Sequence, residues 1–158
     1  MIPRAVNFDV VIGFALTEPK SGSDISIFME TTASKVDGGY VINGVKRWIG
    51  AGTFGDLIVW ARNKDDENKI QGFYVEKGSV GLKTSKIEGK YAVRSIMNAD
   101  IIFDNVFVPI KNKIEYATSF EHSAAGLLAH SRLTVGWMAA GVAAGAYEAA
   151  LKYTLQRV

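Results

Sequence analysis

The sequence predicts a mainly β protein, an antiparallel β-barrel or sandwich of about seven or eight short strands, followed by a long α-helix. Two observations support this fold class. Short runs rich in β-branched and aromatic residues recur between turn signals as far as Pro109. Beyond Pro109 the period changes, because residues 119–158 contain no proline and carry apolar or small side chains at helical spacing.

Turn signals divide the β region into short strands. The segments with strand character, from which about seven or eight strands are expected, are residues 9–17, 31–36, 40–42, 45–49, 56–62, 70–76, 80–86, 100–103 and 106–108. Asn43-Gly44 is the strongest local signal, since Asn-Gly suits the type I′ turn of a hairpin. A further turn is expected at Asp104-Asn105. Residues 63–69 are charged and lack apolar side chains, so we interpret them as a solvated hairpin tip.

The two ends of the chain lie outside this β region. Residues 1–8 contain Pro3 and little pattern, so we interpret them as a lead-in. The apolar run 133–147 is shorter than the roughly twenty residues that a bilayer requires, and Arg132 and Glu148 flank it. We therefore expect a soluble helix buried against other helices, and no membrane span. Its apolar and small faces need helical partners that this sequence does not encode.

The composition is that of an ordinary globular domain. The sequence is 48% hydrophobic and 22% charged, and its net charge of +2 is spread along the chain. It lacks the basic stripe of a nucleic-acid-binding protein, so no nucleic-acid partner is expected. Without cysteine there is no disulfide or thiolate metal site, and His122 and His130 have no neighbouring carboxylate pattern, so no metal site is expected. No signal peptide is visible.

A polar loop follows the first expected strand, which stops at Glu18-Pro19 because proline cannot donate to a strand ladder. Residues 20–24, KSGSD, offer uncovered backbone N–H groups, two hydroxyls, and Asp24 as a cap for a helical turn at residues 25–27. Such a concavity can hold a phosphate or the polar edge of a cofactor. From spacing alone, an ordinary strand-to-turn corner with local Ser and Asp caps is the simpler interpretation.

Residues 14–24, FALTEPKSGSD, resemble the flavin-binding signature of the acyl-CoA dehydrogenase family. The matching residues are Phe14, Thr17, Glu18, Pro19, Gly22, Ser23 and Asp24. A second motif of this family, K-x-W-I-[TS]-N, has its counterpart in residues 46–51, KRWIGA. Family members have an α-helical N-terminal domain, a middle β-barrel and a C-terminal four-helix domain. The chain resembles the middle domain, residues 1–115, plus the first helix or two of the third, residues 116–158, and is expected to be a fragment.

The resemblance implies that FAD is the cofactor. The implied cofactor-binding residues are Phe14, Ala15, Leu16, Thr17, Gly22, Ser23, Trp48, Ile49 and Gly50. Thr17 is expected at the pyrimidine edge of the flavin, and Trp48 and Ile49 against its ring. Without the resemblance, Trp48 is interpreted as a core tryptophan.

An acyl-CoA substrate is also implied. The implied substrate-binding residues are Ser23, Leu128, Ser131 and Arg132. In this family a carboxylate removes the α-proton of the thioester while the β-hydrogen leaves as hydride. A minority of members carry that Glu immediately before the arginine, where this chain has Ser131; the majority carry it in the C-terminal domain. Glu121 and Glu148 match neither position, so no catalytic residue is expected here and the fragment should be inactive alone.

Within the family, the segments LIVWAR, GFYVEKGSVGL and IEGKYAVR are similar to the glutaryl-CoA dehydrogenase branch and to its relative, the short-chain acyl-CoA oxidase. The first branch implies oxidation and decarboxylation of glutaryl-CoA to crotonyl-CoA. Gly50 stands where most dehydrogenases have a Thr or Ser that bonds the flavin, and glycine also occurs there in the oxidases. The oxidase therefore stays an alternative, as does a non-catalytic β-barrel binding module.

The resemblance implies partners and location as well. The expected electron acceptor is an electron-transfer flavoprotein, or oxygen in an oxidase, and the parent protein is expected to be a homotetramer. FAD is shared between subunits in the family, so an isolated fragment should bind it poorly. The expected location is the mitochondrial matrix in a eukaryote, the cytoplasm in a bacterium and the peroxisome for an oxidase.

Overall fold

Seven strands followed by one long helix are present in the computed structural model, which describes residues 2–157, and the predicted fold class is confirmed. The strands are β1 (Ile12–Ala15), β2 (Thr32–Val36), β3 (Gly39–Gly50), β4 (Asp56–Asn63), β5 (Lys69–Val75), β6 (Leu82–Lys86) and β7 (Asn98–Pro109). The helices are α1 (Ile2–Val6), α2 (Ile25–Phe28) and α3 (Ala124–Gln156), and a 3₁₀ turn covers Ile110–Asn112.

The strands form one sheet that is mostly antiparallel. Antiparallel pairs join β2 to β3, β3 to β7, β7 to β6 and β4 to β5. The sequence did not predict the two parallel pairs, in which β1 runs beside the first half of β4 and β2 beside its end. β1 and β2 therefore follow one another along one edge of β4. The intervening residues 16–31 leave the sheet and rejoin it on that same edge.

The core lies on one face of this sheet, as the two-residue period of a strand requires. On β4, Leu57, Val59 and Ala61 are fully buried in it. β5 and β7 contribute further buried side chains, among them Phe73, Val75, Ile101, Phe103, Val106 and Val108. The predicted hairpin tip is confirmed, because β4 and β5 pair from Leu57 with Val75 as far as Asn63 with Lys69.

The turns predicted at Asn43-Gly44 and Asp104-Asn105 are wrong. β3 and β7 run through these positions and pair with each other, from Ile42 with Val106 to Gly44 with Phe103. Between these two pairs, Asn43 on β3 lies opposite two residues on β7, Asp104 and Asn105, which is a β-bulge. The Asn105 backbone N–H donates to Asn43 Oδ1 at 2.8 Å, and Asn43 Nδ2 donates to Asn105 Oδ1 at 3.2 Å. The two asparagine side chains thus supply hydrogen bonds across the bulge, one of them to the Asn105 backbone N–H. Long-range pairing of β3 with β7 overrides the local hairpin signal.

Gly44 is required by a close approach in this bulge. Its φ is +148°, and a Cβ atom at this position would lie 2.5 Å from Thr31 Oγ1. No L-amino acid fits both the backbone conformation and the space.

The described chain divides into two compact units, one ending at Phe120 and one beginning at Glu121. The first unit contains α1, an exposed short helix where the sequence predicted an unpatterned lead-in.

In the second unit, α3 begins at Ala124, five residues after the start of its predicted range. Apolar α3 residues expected to pack against other helices are exposed, Trp137 by 81%, and the described residues include no second long helix. No helix in residues 2–157 is long and apolar enough to cross a membrane.

We predict that Gly44→Ala lowers the free energy of unfolding by about 2–4 kcal/mol, because the new Cβ meets Thr31 in a strained backbone conformation. Urea unfolding measures the difference. The matched control is Gly50→Ala on the same strand, where no atom lies within 4 Å of the new Cβ. The control should change the free energy by less than about 0.5 kcal/mol, and equal losses in both variants would contradict the prediction.

Candidate functional site

The two sequence motifs lie side by side in the first unit. The Arg47 backbone N–H donates to the Thr17 carbonyl at 2.9 Å. Next to it, β1 and β3 come so close that a Cβ atom on Gly13 would lie 2.6 Å from the Gly50 carbonyl oxygen. Phe14 to Thr17 and Trp48 to Gly50, although about thirty residues apart, therefore form one candidate site.

A buried ion pair fixes the loop of residues 16–31 to β3. The side chains of Lys46 and Glu18 are 0% and 3% exposed, and their Nζ and Oε1 atoms lie 2.9 Å apart. Lys46 Nζ also donates to the Leu16 carbonyl at 2.9 Å. The lysine thus holds the chain on both sides of Thr17.

Glu18 closes the loop at its other end. Its Oε1 accepts from the Thr31 backbone N–H at 2.9 Å, and its Oε2 accepts from the Glu30 backbone N–H at 2.6 Å. Burial alone would raise the pKa of Glu18, but the Lys46 ammonium and these hydrogen bonds lower it below its ordinary value. Burial lowers the pKa of Lys46 to about 8, against the opposing effect of the Glu18 carboxylate.

Sequence reasoning assigned no role to this pair, although a signal was present. Ile42, Gly44 and Lys46 share one face of β3 by the two-residue period, and Ile42 belongs to the core. A lysine on a core-facing position needs an acid partner. Glu18, three residues after the end of β1, provides it.

Arg62 is a second loop anchor that sequence reasoning missed. From β4 its Nη2 donates to the Ile27 carbonyl at 2.6 Å and its Nε to the Met29 carbonyl at 2.9 Å. These are carbonyls at the end of α2, which lack partners within the helix. The side chain therefore stabilises the C-terminal end of α2 and with it the outer part of the loop.

Asp24 was predicted as the cap of a helical turn at residues 25–27, and its position as the cap residue is confirmed. It occupies the N-cap position without a side-chain cap bond, and its Oδ1 accepts from the Gly22 backbone N–H at 3.1 Å. Gly22 and Ser23 are exposed at this corner, and no atom lies within 4 Å of a Cβ placed on Gly22.

Trp48 projects out of the sheet, so the interpretation as a core tryptophan is wrong. A second register shift lies between Lys46 and Ile49, and Trp48 within it has a φ of +65°. This bulge turns the indole outward, where the residue is 50% exposed. The Arg47 guanidinium lies 5.2 Å from the centre of the indole ring.

The other implied cofactor residues differ in exposure. Ala15, Leu16 and Ile49 are buried, and Ala15 and Ile49 belong to the core, so a ligand can reach them chiefly through backbone atoms. Phe14 and Thr17 are partly exposed. Gly50 has open space in front of it, since no atom lies within 4 Å of a Cβ placed there.

The substrate residues implied on α3 lie on neighbouring turns of the second unit. Ser131 Oγ donates to the Leu128 carbonyl at 2.9 Å, so this hydroxyl is bound within the helix. Leu128 is partly exposed and Arg132 is exposed. Ser23, the fourth implied substrate residue, lies in the loop of the first unit.

Comparison with known proteins supplies the family. Residues 13–106 match the family model described as the acyl-CoA dehydrogenase middle domain. The chain belongs to the acyl-CoA dehydrogenase family. The resemblance carried by the two motifs is thereby confirmed at the level of the family and of its middle domain.

Individual relatives agree with this family. The chain is 35% identical to benzylmalonyl-CoA dehydrogenase of Aromatoleum aromaticum over 97% of its length, and 36% identical to an acyl-CoA dehydrogenase of Bacillus subtilis over 99%. It spans 41% and 42% of these two relatives. A crystal structure of a glutaryl-CoA dehydrogenase from Mycobacterium smegmatis in complex with FADH2 superposes with a TM-score of 0.71 at 30% identity, covering 77% of this chain and 31% of the other.

We predict that Glu18→Gln weakens the dependence of stability on acid pH. Because folding lowers the pKa of Glu18, its ionised form contributes stability above the ordinary value of 4.5, and this contribution is lost as the pH falls through the folded value. Urea unfolding measured from pH 7 downward should show a shallower loss in the variant than in the parent.

At pH 7 the same variant should lose about 3–5 kcal/mol, because Lys46 then stays buried without its counter-charge. The matched control is Glu30→Gln in the same loop, whose exposed carboxylate pairs with Lys20 at 3.1 Å. That change should cost less than about 1 kcal/mol. An unchanged acid slope in Glu18→Gln would show that the buried pair does not govern stability.

Proposed function

We propose that the chain forms part of an FAD-dependent enzyme that oxidises an acyl-CoA thioester between its α and β carbons. The observation that supports this proposal is the meeting of the two motifs. The exposed indole of Trp48 and the open space at Gly50, both on β3, lie beside the partly exposed Thr17, which belongs to a loop that a buried ion pair fixes.

The residues present fit a flavin. The half-exposed Trp48 offers a flat apolar ring, and the space in front of Gly50 leaves room beside it. Thr17 supplies a hydroxyl for a polar edge, and the exposed corner at Gly22 and Ser23 suits the pyrophosphate. When bound, FAD would accept the hydride that leaves the β carbon. In this proposal the chain's own residues bind and orient the ring.

The carboxylate that removes the α-proton is proposed to come from outside this chain. Ser131, immediately before Arg132, cannot act as that base at neutral pH, because an isolated hydroxyl is too weak and its proton is donated to the Leu128 carbonyl. The remaining role of this region would be to seat the thioester through Arg132. Experiments on this activity therefore need the full encoded polypeptide.

For the substrate we propose glutaryl-CoA, with decarboxylation to crotonyl-CoA. The branch features of the sequence support it, as does the likeness to the Mycobacterium smegmatis glutaryl-CoA dehydrogenase. An electron-transfer flavoprotein would then reoxidise the flavin, and the parent would be a homotetramer.

The deciding experiment is anaerobic reduction of the full polypeptide loaded with FAD. Glutaryl-CoA should bleach the visible flavin band more completely than butyryl-CoA, and colour should return slowly when air is admitted. Bleaching by butyryl-CoA alone would contradict the glutaryl assignment. No bleaching by either thioester would contradict the enzymatic proposal and favour a non-catalytic binding module.

A short-chain acyl-CoA oxidase is the second candidate, and Gly50 favours it. The absent hydroxyl leaves the flavin less tightly bonded at this position, and the open space there gives oxygen a route to the ring. In this case air would restore the colour quickly and produce peroxide.

We predict that Gly50→Thr slows reoxidation by oxygen by about tenfold if the parent is an oxidase, because the new hydroxyl adds roughly one hydrogen bond and fills the space. Stopped-flow mixing of the reduced protein with air-saturated buffer measures the rate. Gly50→Ala is the matched control, since it fills part of the space without a hydroxyl. Equal rates in the parent and both variants would remove Gly50 as a determinant of the electron acceptor.

A further inference from the structure

We propose that Lys90 and Asn98 are positioning residues that hold Trp48 in place for the flavin. This inference rests on the proposed function, since it assigns to Trp48 a surface against the cofactor. The inference gives a role to residues 87–94, IEGKYAVR, which are not otherwise part of the candidate site.

Trp48 needs an external support. A φ of +65° is unfavourable for a bulky side chain and persists only where the surroundings impose it. The bulge also removes the Trp48 carbonyl from the regular ladder between β3 and β7, because the pairing passes from Lys46 with Ile101 directly to Ile49 with Ala99. That carbonyl must find a partner outside the ladder.

Asn98 provides this partner. As the first residue of β7 it pairs with Gly50, and its Nδ2 donates to the Trp48 carbonyl at 2.9 Å. The amide thereby replaces the missing ladder bond. Its orientation decides whether a donor or an acceptor faces Trp48, since the two ends of an amide are opposite in character.

Lys90 determines that orientation. Its Nζ donates to Asn98 Oδ1 at 2.6 Å, to the Val93 carbonyl at 2.9 Å and to the Ile96 carbonyl at 2.5 Å. An ammonium has three donors, and all are used. The loop of residues 87–97 is thus folded around the ammonium, which draws the Asn98 oxygen toward itself and directs the Asn98 donor to Trp48.

A second contact reaches the indole ring itself. The Arg47 guanidinium that lies over the ring is itself near Asp100, with 3.6 Å between Nε and Oδ1. Asp100 lies on β7 opposite the bulge. Backbone and ring of Trp48 are therefore each tied to β7, the backbone through Asn98 and the ring through Arg47.

The test uses the full polypeptide and two variants. Asn98→Asp keeps an oxygen for Lys90 and replaces the donor to Trp48 with an acceptor, whereas Lys90→Met removes the ammonium and keeps a side chain of similar length. Lys86→Met is the matched control at the end of β6, next to this loop, because the Lys86 ammonium forms its ion pair with exposed Glu88, at 2.9 Å. Readouts are the dissociation constant of FAD, the visible circular dichroism of the bound flavin and its reduction potential.

We expect Asn98→Asp and Lys90→Met each to raise the dissociation constant of FAD by about five- to tenfold, which is the change that the loss of one hydrogen bond produces. Both should change the visible circular dichroism, and the double variant should show less than the product of the two effects, since the residues act in series. Lys86→Met should match the parent. Parent-like flavin affinity and dichroism in both single variants would overturn the inference.

Fluorine NMR of 5-fluorotryptophan in the apoprotein separates this inference from the proposed function. The Trp48 signal, assigned through its loss in Trp48→Phe, should shift in Asn98→Asp and Lys90→Met but not in Lys86→Met. An unmoved signal overturns the inference even if the parent binds FAD. A parent that binds no FAD contradicts the proposed function, and a shifted signal then still supports the positioning contacts. If Asn98→Asp does not fold, Lys90→Met decides alone.

Discussion

The buried pair of Lys46 and Glu18 is the interaction on which the candidate site depends. Burying two opposite charges away from water costs free energy unless each charge also forms hydrogen bonds. Here Lys46 donates to the Leu16 carbonyl, and Glu18 accepts from the backbone N–H groups of Glu30 and Thr31. These are the groups at the base of the loop. The ion pair is therefore satisfied only when residues 16–31 adopt one arrangement, which places Thr17 beside β3.

The sheet gives this loop its position and the site its chemistry. β1 and β2 follow one another along β4, so the loop between them must leave and rejoin the sheet at one edge. On β3, which the Arg47–Thr17 backbone bond joins to this loop, a bulge turns Trp48 outward. A rigid loop with an exposed indole and an open glycine beside it is a surface for a flat ring with polar edges, which is the kind of ligand that the family relationship suggests.

Local sequence signals were reliable where they agreed with long-range pairing and failed where they did not. The β4–β5 hairpin was predictable, because a charged tip separates two apolar runs that pair in register. Asn43-Gly44 also carried a strong turn signal, yet β3 continues through it. Pairing with β7 gives that strand more hydrogen bonds than a local hairpin would, and Asn43 and Asn105 supply the bulge contacts instead. Single-sequence reasoning cannot weigh partners sixty residues apart.

The sequence by itself determined the fold class, the helix after Pro109 and the two motifs, because each depends on local composition, spacing or residue identity. Only the tertiary structure decided that the motifs meet, that Lys46 is buried against Glu18, that Trp48 is exposed and that Lys90 reaches Asn98. These features arise from register shifts and from contacts between distant strands. A change of one residue in register moves a side chain to the opposite face of a sheet, so no local pattern fixes them.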